Sequence, residues 1–412
     1  MKYIISLTRR PVKDTIYLPS SKSISNRMLI INALAGKPAV LQHLSDSDDT
    51  VLMQRALTED SVVKDVGHAG TAMRFLTAYF ALQPGTVVLT GSERMKQRPL
   101  TPLIGALVRL GTGIECLEKE GYPPVKITGG ITRGGEIEID GGISSQFISA
   151  LMMVAPRLGG GLKLMLTGKV VSETYIHMTI ALMREAGVTV EYDGRRIVIP
   201  EQDYRLDDYT VEADWSAASY WYQITALLPG SVVVLPDLYE NSIQGDAILE
   251  KIFKGLGVST RFIRGNIELL SRQVTGPDRL DIDFLGSPDL VQTCAVTCCA
   301  RGIPFRFTGT STLLVKETDR IAALKDELGR LGYVLHSAKD GAWIAWDGSR
   351  RAPETHPVIR TYHDHRMAMA FAPMAIPHGP ITIEDPDVVT KSYPGYWNDL
   401  KKAGFSFSEV KD

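Results

Sequence analysis

Residues 209–236, YTVEADWSAASYWYQITALLPGSVVVLP, contain the pattern from which the rest of the chain is built. A short strand leads through a polar loop into a helix that is apolar on nearly every face, and a Pro–Gly stop ends it. Gly230 then opens a β-rich run, GSVVVLP. A helix without a polar face is buried on all sides, so this segment predicts a central helix walled by sheet.

Both phrases recur. The strand–loop–apolar-helix phrase returns as DTIYLPSSKSISNRMLIINALAG, KDVGHAGTAMRFLTAYFAL, EIEIDGGISSQFISALMMVAP, LDIDFLGSPDLVQTCAVTCCA and VIRTYHDHRMAMAFAPMAI. The glycine–strand phrase starts at Gly85, Gly161, Gly230, Gly302 and Gly379, with a weaker copy at Gly36, and runs on into a helix with a clear polar face, such as residues 318–328. The pattern predicts an α/β (α+β) protein of six repeated units, with six helices inside and sheets and amphipathic helices around them. That is too much for one core, so two domains of three units each are expected. The first unit spans 49 residues between starts where the others span 69 to 77, and is read as lacking a strand–helix–strand piece between Asp49 and Gly70.

Bulk properties narrow the class of function. The 412 residues are 44% hydrophobic and 22% charged, with net charge −2. This gives no support for a nucleic-acid partner, which shows as a basic excess. No apolar run reaches the ~18 residues of a spanning helix, and the opening MKYIISL is too short for a signal sequence. No membrane association is expected, and the chain reads as cytoplasmic. Of the four cysteines, Cys294, Cys298 and Cys299 lie in an apolar helical stretch and Cys116 stands apart; without further ligands at metal spacing they read as buried thiols. His363 and His365 alternate as residues sharing one strand face do, yet no third ligand has suitable spacing. No metal is expected.

Any cationic site is therefore local. Three stretches read as parts of one anion site: residues 21–27 (SKSISNR), 70–74 (GTAMR) and 316–320 (KETDR). Each sets a cation beside hydroxyl or glycine residues at a predicted helix N-terminus, where exposed N–H groups and the helix dipole favour negative charge. The polar loops ahead of the apolar helices add Lys22, Ser23 and Arg27; Gly70, Thr71 and Arg74; Ser144, Ser145 and Gln146; Asp214 and Ser216; Asp289; and His365 and Arg366. Loops of the other phrase add Arg98, Ser172, Tyr175, Lys316, Glu317 and Arg320, and the tail adds Lys391. Ordinary capping accounts for any one such loop; cations beside the caps in three of six copies favour a site for a small phosphorylated or carboxylated ligand. So many like charges repel in the absence of ligand, and an open state that closes on substrate relieves that repulsion.

At these residues the chain resembles the enolpyruvyltransferase family, and within it the branch acting on shikimate 3-phosphate. The resemblance runs nearly end to end through LPSSKSISNR, AGTAMR, MKQRPL, DGGISSQF, VSETYI, GDAILE, SPDL, VKETDRIAAL, YHDHRMAMAF and TKSYPGYW. It implies two lobes, residues 21–212 and residues 1–20 with 213–412, and an active site in the cleft between them. It implies transfer of the enolpyruvyl group of phosphoenolpyruvate to the 5-hydroxyl of shikimate 3-phosphate with release of phosphate, without a cofactor, as a monomer. By motif, Asp289 is the implied proton acceptor and Glu317 the implied proton donor, with Lys22 between the two anions. Shikimate 3-phosphate is assigned to Lys22, Ser23, Arg27, Ser144, Ser145, Gln146, Ser172, Asp289 and Lys316. Phosphoenolpyruvate is assigned to Lys22, Gly70, Arg98, Gln146, Arg320, Arg366 and Lys391. Thr71, Arg74, Tyr175, Thr312 and His365 are further candidates; Thr312 stands where many relatives carry Asn, and Phe75 where Pro is common. Two alternatives stay open: the sister activity on UDP-N-acetylglucosamine, and a catalytically inert binding protein on the same scaffold. The sister enzymes commonly carry a reactive Cys in the loop before Arg98–Pro99, and residues 91–97 contain none.

Overall fold

The six apolar phrases form six helices: Lys22–Leu34, Gly70–Leu82, Ser145–Val154, Trp215–Leu227, Val291–Arg301 and His365–Phe371. The structure is a computed structural model that describes residues 1–272 and 276–410. In the helix Trp215–Leu227 every residue from Ala217 to Ala226 is buried. Two of its polar side chains bond within the protein: Gln223 Nε2 donates to the Ala370 carbonyl (3.0 Å) and the Ser219 hydroxyl to the Ser216 carbonyl (2.6 Å). Four of the six helices begin with a side-chain cap. Ser21, Ser144, Asp214 and Asp364 accept from the amides of Ile24, Gln146, Ala217 and Arg366, satisfying donors that a helix start leaves open.

The chain divides into two compact units, a larger one of Met1–Pro19 with Glu212–Asp412 and a smaller one of Ser20–Val211. Five four-stranded sheets share one topology. A parallel pair forms one edge, and two further strands add to it antiparallel. In the smaller unit these are Val63–Asp65, Thr86–Thr90, Val125–Thr128 and Gly113–Cys116 in spatial order, and Arg133–Asp140, Gly159–Thr167, Arg196–Ile199 and Glu191–Tyr192. The first strand of the chain, Lys2–Leu7, pairs with Ile381–Glu384 and Phe405–Val410 and so completes the sixth unit's sheet.

The first and fourth units exchange a strand. Lys13–Thr15, which leads into the first central helix, pairs with Val232–Pro236. Tyr209–Thr210, which leads into the fourth, pairs with Leu41–Gln42. Among the described residues the first unit's sheet is this parallel pair alone. The expected loss of a strand–helix–strand piece is thus corrected: the helix Asp48–Thr58 is present, and the shortfall is the two antiparallel strands that follow the corresponding helix elsewhere. A helix of that length fits between Asp49 and Gly70, whereas a further hairpin does not.

The cysteines are free thiols. Burial raises the pKa of Cys294, Cys298 and Cys299, which removes them from thiolate chemistry. The strand reading of the two histidines fails. His363 lies in a left-handed turn and is 92% exposed, whereas His365 starts a helix and is buried.

Trp221 is fully buried and donates from Nε1 to the Tyr393 hydroxyl (3.2 Å). Trp221→Ala should cost about 3–5 kcal/mol, read as a lower urea midpoint for the larger unit; an unchanged midpoint would contradict the central placement of this helix.

Candidate functional site

In the larger unit the segments ahead of two of the three central helices, and two further turns, deliver charged side chains to one cluster. Asp289 sits in the turn Pro288–Leu290 before the helix Val291–Arg301. Arg366 lies in the first turn of the helix His365–Phe371, and Lys391 ends the turn Pro386–Lys391. Lys316 and Glu317 precede the helix Arg320–Arg330, whose start is capped by Asp319 through the amides of Ile321 and Ala322.

Arg320 joins the parts. Its side chain is 2% exposed. Nε donates to Asp364 Oδ2 (2.7 Å), Nη1 to Asp289 Oδ1 (2.9 Å) and Nη2 to Glu317 Oε2 (3.0 Å). Each acid of the implied proton-transfer pair meets a second cation. Arg366 Nη2 reaches Asp289 Oδ2 at 3.0 Å and Lys316 Nζ reaches Asp289 Oδ1 at 3.5 Å. Lys391 Nζ donates to Glu317 Oε1 at 2.8 Å. Asp364 is fully buried, accepts from Arg320 with both oxygens (2.7 and 3.4 Å) and caps the Arg366 amide with Oδ1 (2.9 Å). Four cations are thus interleaved with three carboxylates, which relieve the repulsion expected among so many cations in the absence of ligand.

These neighbours set the proton affinities. Burial would raise the Asp289 pKa, but Arg366, Lys316 and Arg320 outweigh it and hold this carboxyl well below its usual range. Asp246, in the turn Gly245–Ile248, goes the other way. Burial, then the Asp289 carboxylate, push it up to about 7, against the Ser216 hydroxyl and Arg366. The Ser216 hydroxyl donates to it.

The smaller unit gathers a second set. Lys22 opens its helix and lies 3.6 Å from Asp49 Oδ2. Arg27 is buried and held by Thr179 Oγ1 (2.7 Å), the Ser23 carbonyl (2.9 Å) and Ser149 Oγ (3.3 Å). The rings of Phe75 and Tyr175 stand 5.3 and 5.8 Å from its Cζ, within reach of a cation–π attraction. Burial brings the Arg27 pKa down to about 10, so it stays charged at neutral pH. Gly70 begins its helix beneath two guanidinium groups: a Cβ there would stand 2.5 Å from Arg98 Nη1 and 2.9 Å from Arg74 Nη1. Arg74 also donates to the Gly70 carbonyl (2.8 Å). Two cations at the positive end of a helix are unfavourable by themselves and favour an anion between them. Thr71 Oγ1 accepts from Gln146 Nε2 (3.2 Å). Ser144 caps the helix that Ser145 begins, and Ser172 stands at the next helix start with φ +54°.

The structure therefore brings Asp289, Lys316, Glu317, Arg320, Arg366 and Lys391 into one network. It brings Gly70, Arg98 and Arg74 into another contact set, Thr71 with Gln146 into a third, and Ser23, Arg27 and Tyr175 into a fourth. His365 lies 3.6 Å from Asp364. The Thr312 hydroxyl is buried without a hydrogen bond among the described residues. Sequence reading missed Asp364, Asp49 and Asp246. The sequence signals Asp364 only as an N-cap inside the YHDHR stretch, not as a partner of Arg320.

The comparisons with known proteins agree with one another. The family described as EPSP synthase (3-phosphoshikimate 1-carboxyvinyltransferase) matches residues 53–400. The chain is 51% identical over 406 residues to the 3-phosphoshikimate 1-carboxyvinyltransferase of Bacteroides fragilis strain YCH46, covering 98% of each. It is 37% identical over 435 residues to that of Pectobacterium atrosepticum, covering 96% of this chain and 98% of the relative. The fold is similar to the 2.37 Å structure of EPSP synthase from Acinetobacter baumannii, with a TM-score of 0.78 at 21% identity over 99% of this chain and 100% of the other.

Asp246 yields a test by pH. Unfolded, it loses its proton near ~4; folded, it keeps it to about 7. Between these values the folded state holds the extra proton, so this residue's contribution to stability falls as pH rises and is fully lost above the folded value. Urea unfolding at about pH 5 and about pH 8 should show a smaller loss in Asp246→Asn than in the natural protein; equal losses would contradict the assignment.

Proposed function

This chain belongs to the EPSP synthase family, and we propose from that premise that it transfers the enolpyruvyl group of phosphoenolpyruvate to the 5-hydroxyl of shikimate 3-phosphate. Identity of 51% across 98% of both chains supports the reaction. The observation that carries the residue roles is the single guanidinium of Arg320, which holds Asp289 and Glu317 at 2.9 and 3.0 Å. An acid and a base fixed to one rigid group serve a reaction in which one proton is delivered and another removed.

Glu317, in its protonated form, delivers a proton to the vinyl carbon of phosphoenolpyruvate and is left as a carboxylate. The 5-hydroxyl oxygen bonds to the adjacent carbon and gives up its proton to Asp289. The tetrahedral adduct then returns a proton from the new methyl group to the Glu317 carboxylate as its carbon–oxygen bond to phosphate breaks and phosphate leaves. Asp289 suits the acceptor role because its cations keep it ionised. Those same cations make it a weak base until substrate anions share Arg366 and Lys316, when its proton affinity rises. Binding thus switches on the base.

Arg320, Arg366 and Lys391 are assigned to phosphoenolpyruvate with Lys22, Gly70, Arg98 and Gln146. Ser23, Arg27, Ser144, Ser145, Ser172, Asp289 and Lys316 are assigned with Lys22 and Gln146 to shikimate 3-phosphate. The reading has residues of both units enclose one pair of substrates, so the units close on them. One chain carries every assigned residue, which suits a monomer, and the phosphorylated substrates place the reaction in the cytoplasm. The UDP-N-acetylglucosamine activity gains no support: the loop before Arg98 lacks cysteine, and Cys116 sits in a strand with its sulfur accepting from the Gly121 amide (3.2 Å).

Phosphate release from phosphoenolpyruvate should require shikimate 3-phosphate; release with UDP-N-acetylglucosamine instead, or with neither, would overturn the reading. Glu317→Gln should lower turnover about 10²–10⁴-fold with substrate binding largely kept; near-normal turnover would remove Glu317 from the donor role. Solution scattering should show a smaller radius of gyration with both substrates than with neither, and an unchanged radius would contradict closure.

A further inference from the structure

The segment that delivers Asp364 and Arg366 is strained just before it does so. Tyr362 and His363 both have left-handed backbones, with φ of 54° and 55°. Histidine tolerates this region moderately, but a bulky residue such as tyrosine rarely occupies it. Such a conformation persists only where surrounding contacts impose it.

The contacts are specific. Glu327 lies on the helix that Arg320 begins and is fully buried. Its Oε1 accepts from the Tyr362 hydroxyl (2.7 Å) and its Oε2 from the Arg360 amide (3.1 Å). Arg330 Nε lies 3.1 Å from Oε2 and compensates the charge. On the far side His363 Nδ1 meets Asp385 Oδ2 at 2.9 Å. Asp385 is itself left-handed (φ 48°) and opens the turn that ends at Lys391. One helix therefore grips the segment twice, at Asp364 through Arg320 and at Arg360 and Tyr362 through Glu327. Of the strained residues, Tyr362 is itself gripped and His363 lies between the grips.

We propose that Glu327 is a positioning residue that holds the Tyr362–His363 corner in its strained form and thereby sets where Asp364 and Arg366 stand. A bare structural brace would tolerate relaxed backbone; holding two successive left-handed residues four and three positions ahead of Arg366 fixes the direction in which the next helix starts. The consequence for phosphoenolpyruvate rests on the assignment of Arg366 to that substrate.

Tyr362→Phe deletes one hydrogen bond and keeps the ring, and Glu327→Gln keeps the shape and removes the charge. Amide hydrogen exchange in the full-length protein tests the grip without reference to the reaction: amides 361–367 should exchange about tenfold faster in either variant, while the helix Trp215–Leu227 is unchanged. Initial-rate kinetics test the consequence: KM for phosphoenolpyruvate should rise about 3- to 10-fold, and KM for shikimate 3-phosphate should stay within about twofold. Unchanged exchange at 361–367 in Tyr362→Phe would overturn the proposal, as would faster exchange with both KM values unaltered or raised equally. A natural protein without activity on the two substrates would instead count against the reaction, and the exchange result would still decide the role of Glu327.

Discussion

The site in the larger unit depends on one buried guanidinium. Arg320 has three carboxylate partners and almost no contact with solvent. Burying a lone charge of this kind is prohibitive, and removing one partner from a buried pair costs about 3–5 kcal/mol. Asp364, Asp289 and Glu317 raise the Arg320 proton affinity against the effect of burial. The arginine must therefore remain charged, and each carboxylate must come to one of its nitrogens. Because the guanidinium is planar and its donors have fixed directions, the positions of the two proposed proton-transfer groups are determined together.

That constraint explains how cations can be stored before substrate arrives. Lys391, Lys316 and Arg366 are neutralised by the same carboxylates that Arg320 holds. In the proposed assignment the substrates bring negative charge of their own and compete for these cations. Charge-assisted hydrogen bonds of ~1.5–3 kcal/mol each can be exchanged rather than built from nothing. In the smaller unit Asp49 stands beside Lys22 in the same way, while Arg27 is fixed by hydroxyls and aromatic rings instead of an acid.

Much of this was legible in the sequence, for identifiable reasons. Helices apolar on all faces and a glycine before each β-rich run exposed the repeated units, because burial and chain reversal act locally. The loops ahead of the helices could be picked out because cap residues and cations share them. The strand exchange between Lys13–Thr15 and Tyr209–Thr210 was not legible, since either short strand satisfies its own phrase equally well. Neither was the role of Asp364. As an N-cap it looks like any other, and only the fold shows that its second oxygen faces Arg320. The histidine alternation misled because period two was assumed where the backbone is left-handed. The kept helix Asp48–Thr58 could not be told from a lost one by length alone.

The central claim is that the fork of Arg320, and not merely its charge, organises the site. Calorimetric titration of phosphoenolpyruvate, in the presence of shikimate 3-phosphate, into Arg320→Lys tests this directly. Lysine keeps the charge but cannot reach three carboxylates in fixed directions. Affinity should weaken by about tenfold or more, the loss of roughly one charge-assisted bond. Binding equal to that of the natural protein would contradict it.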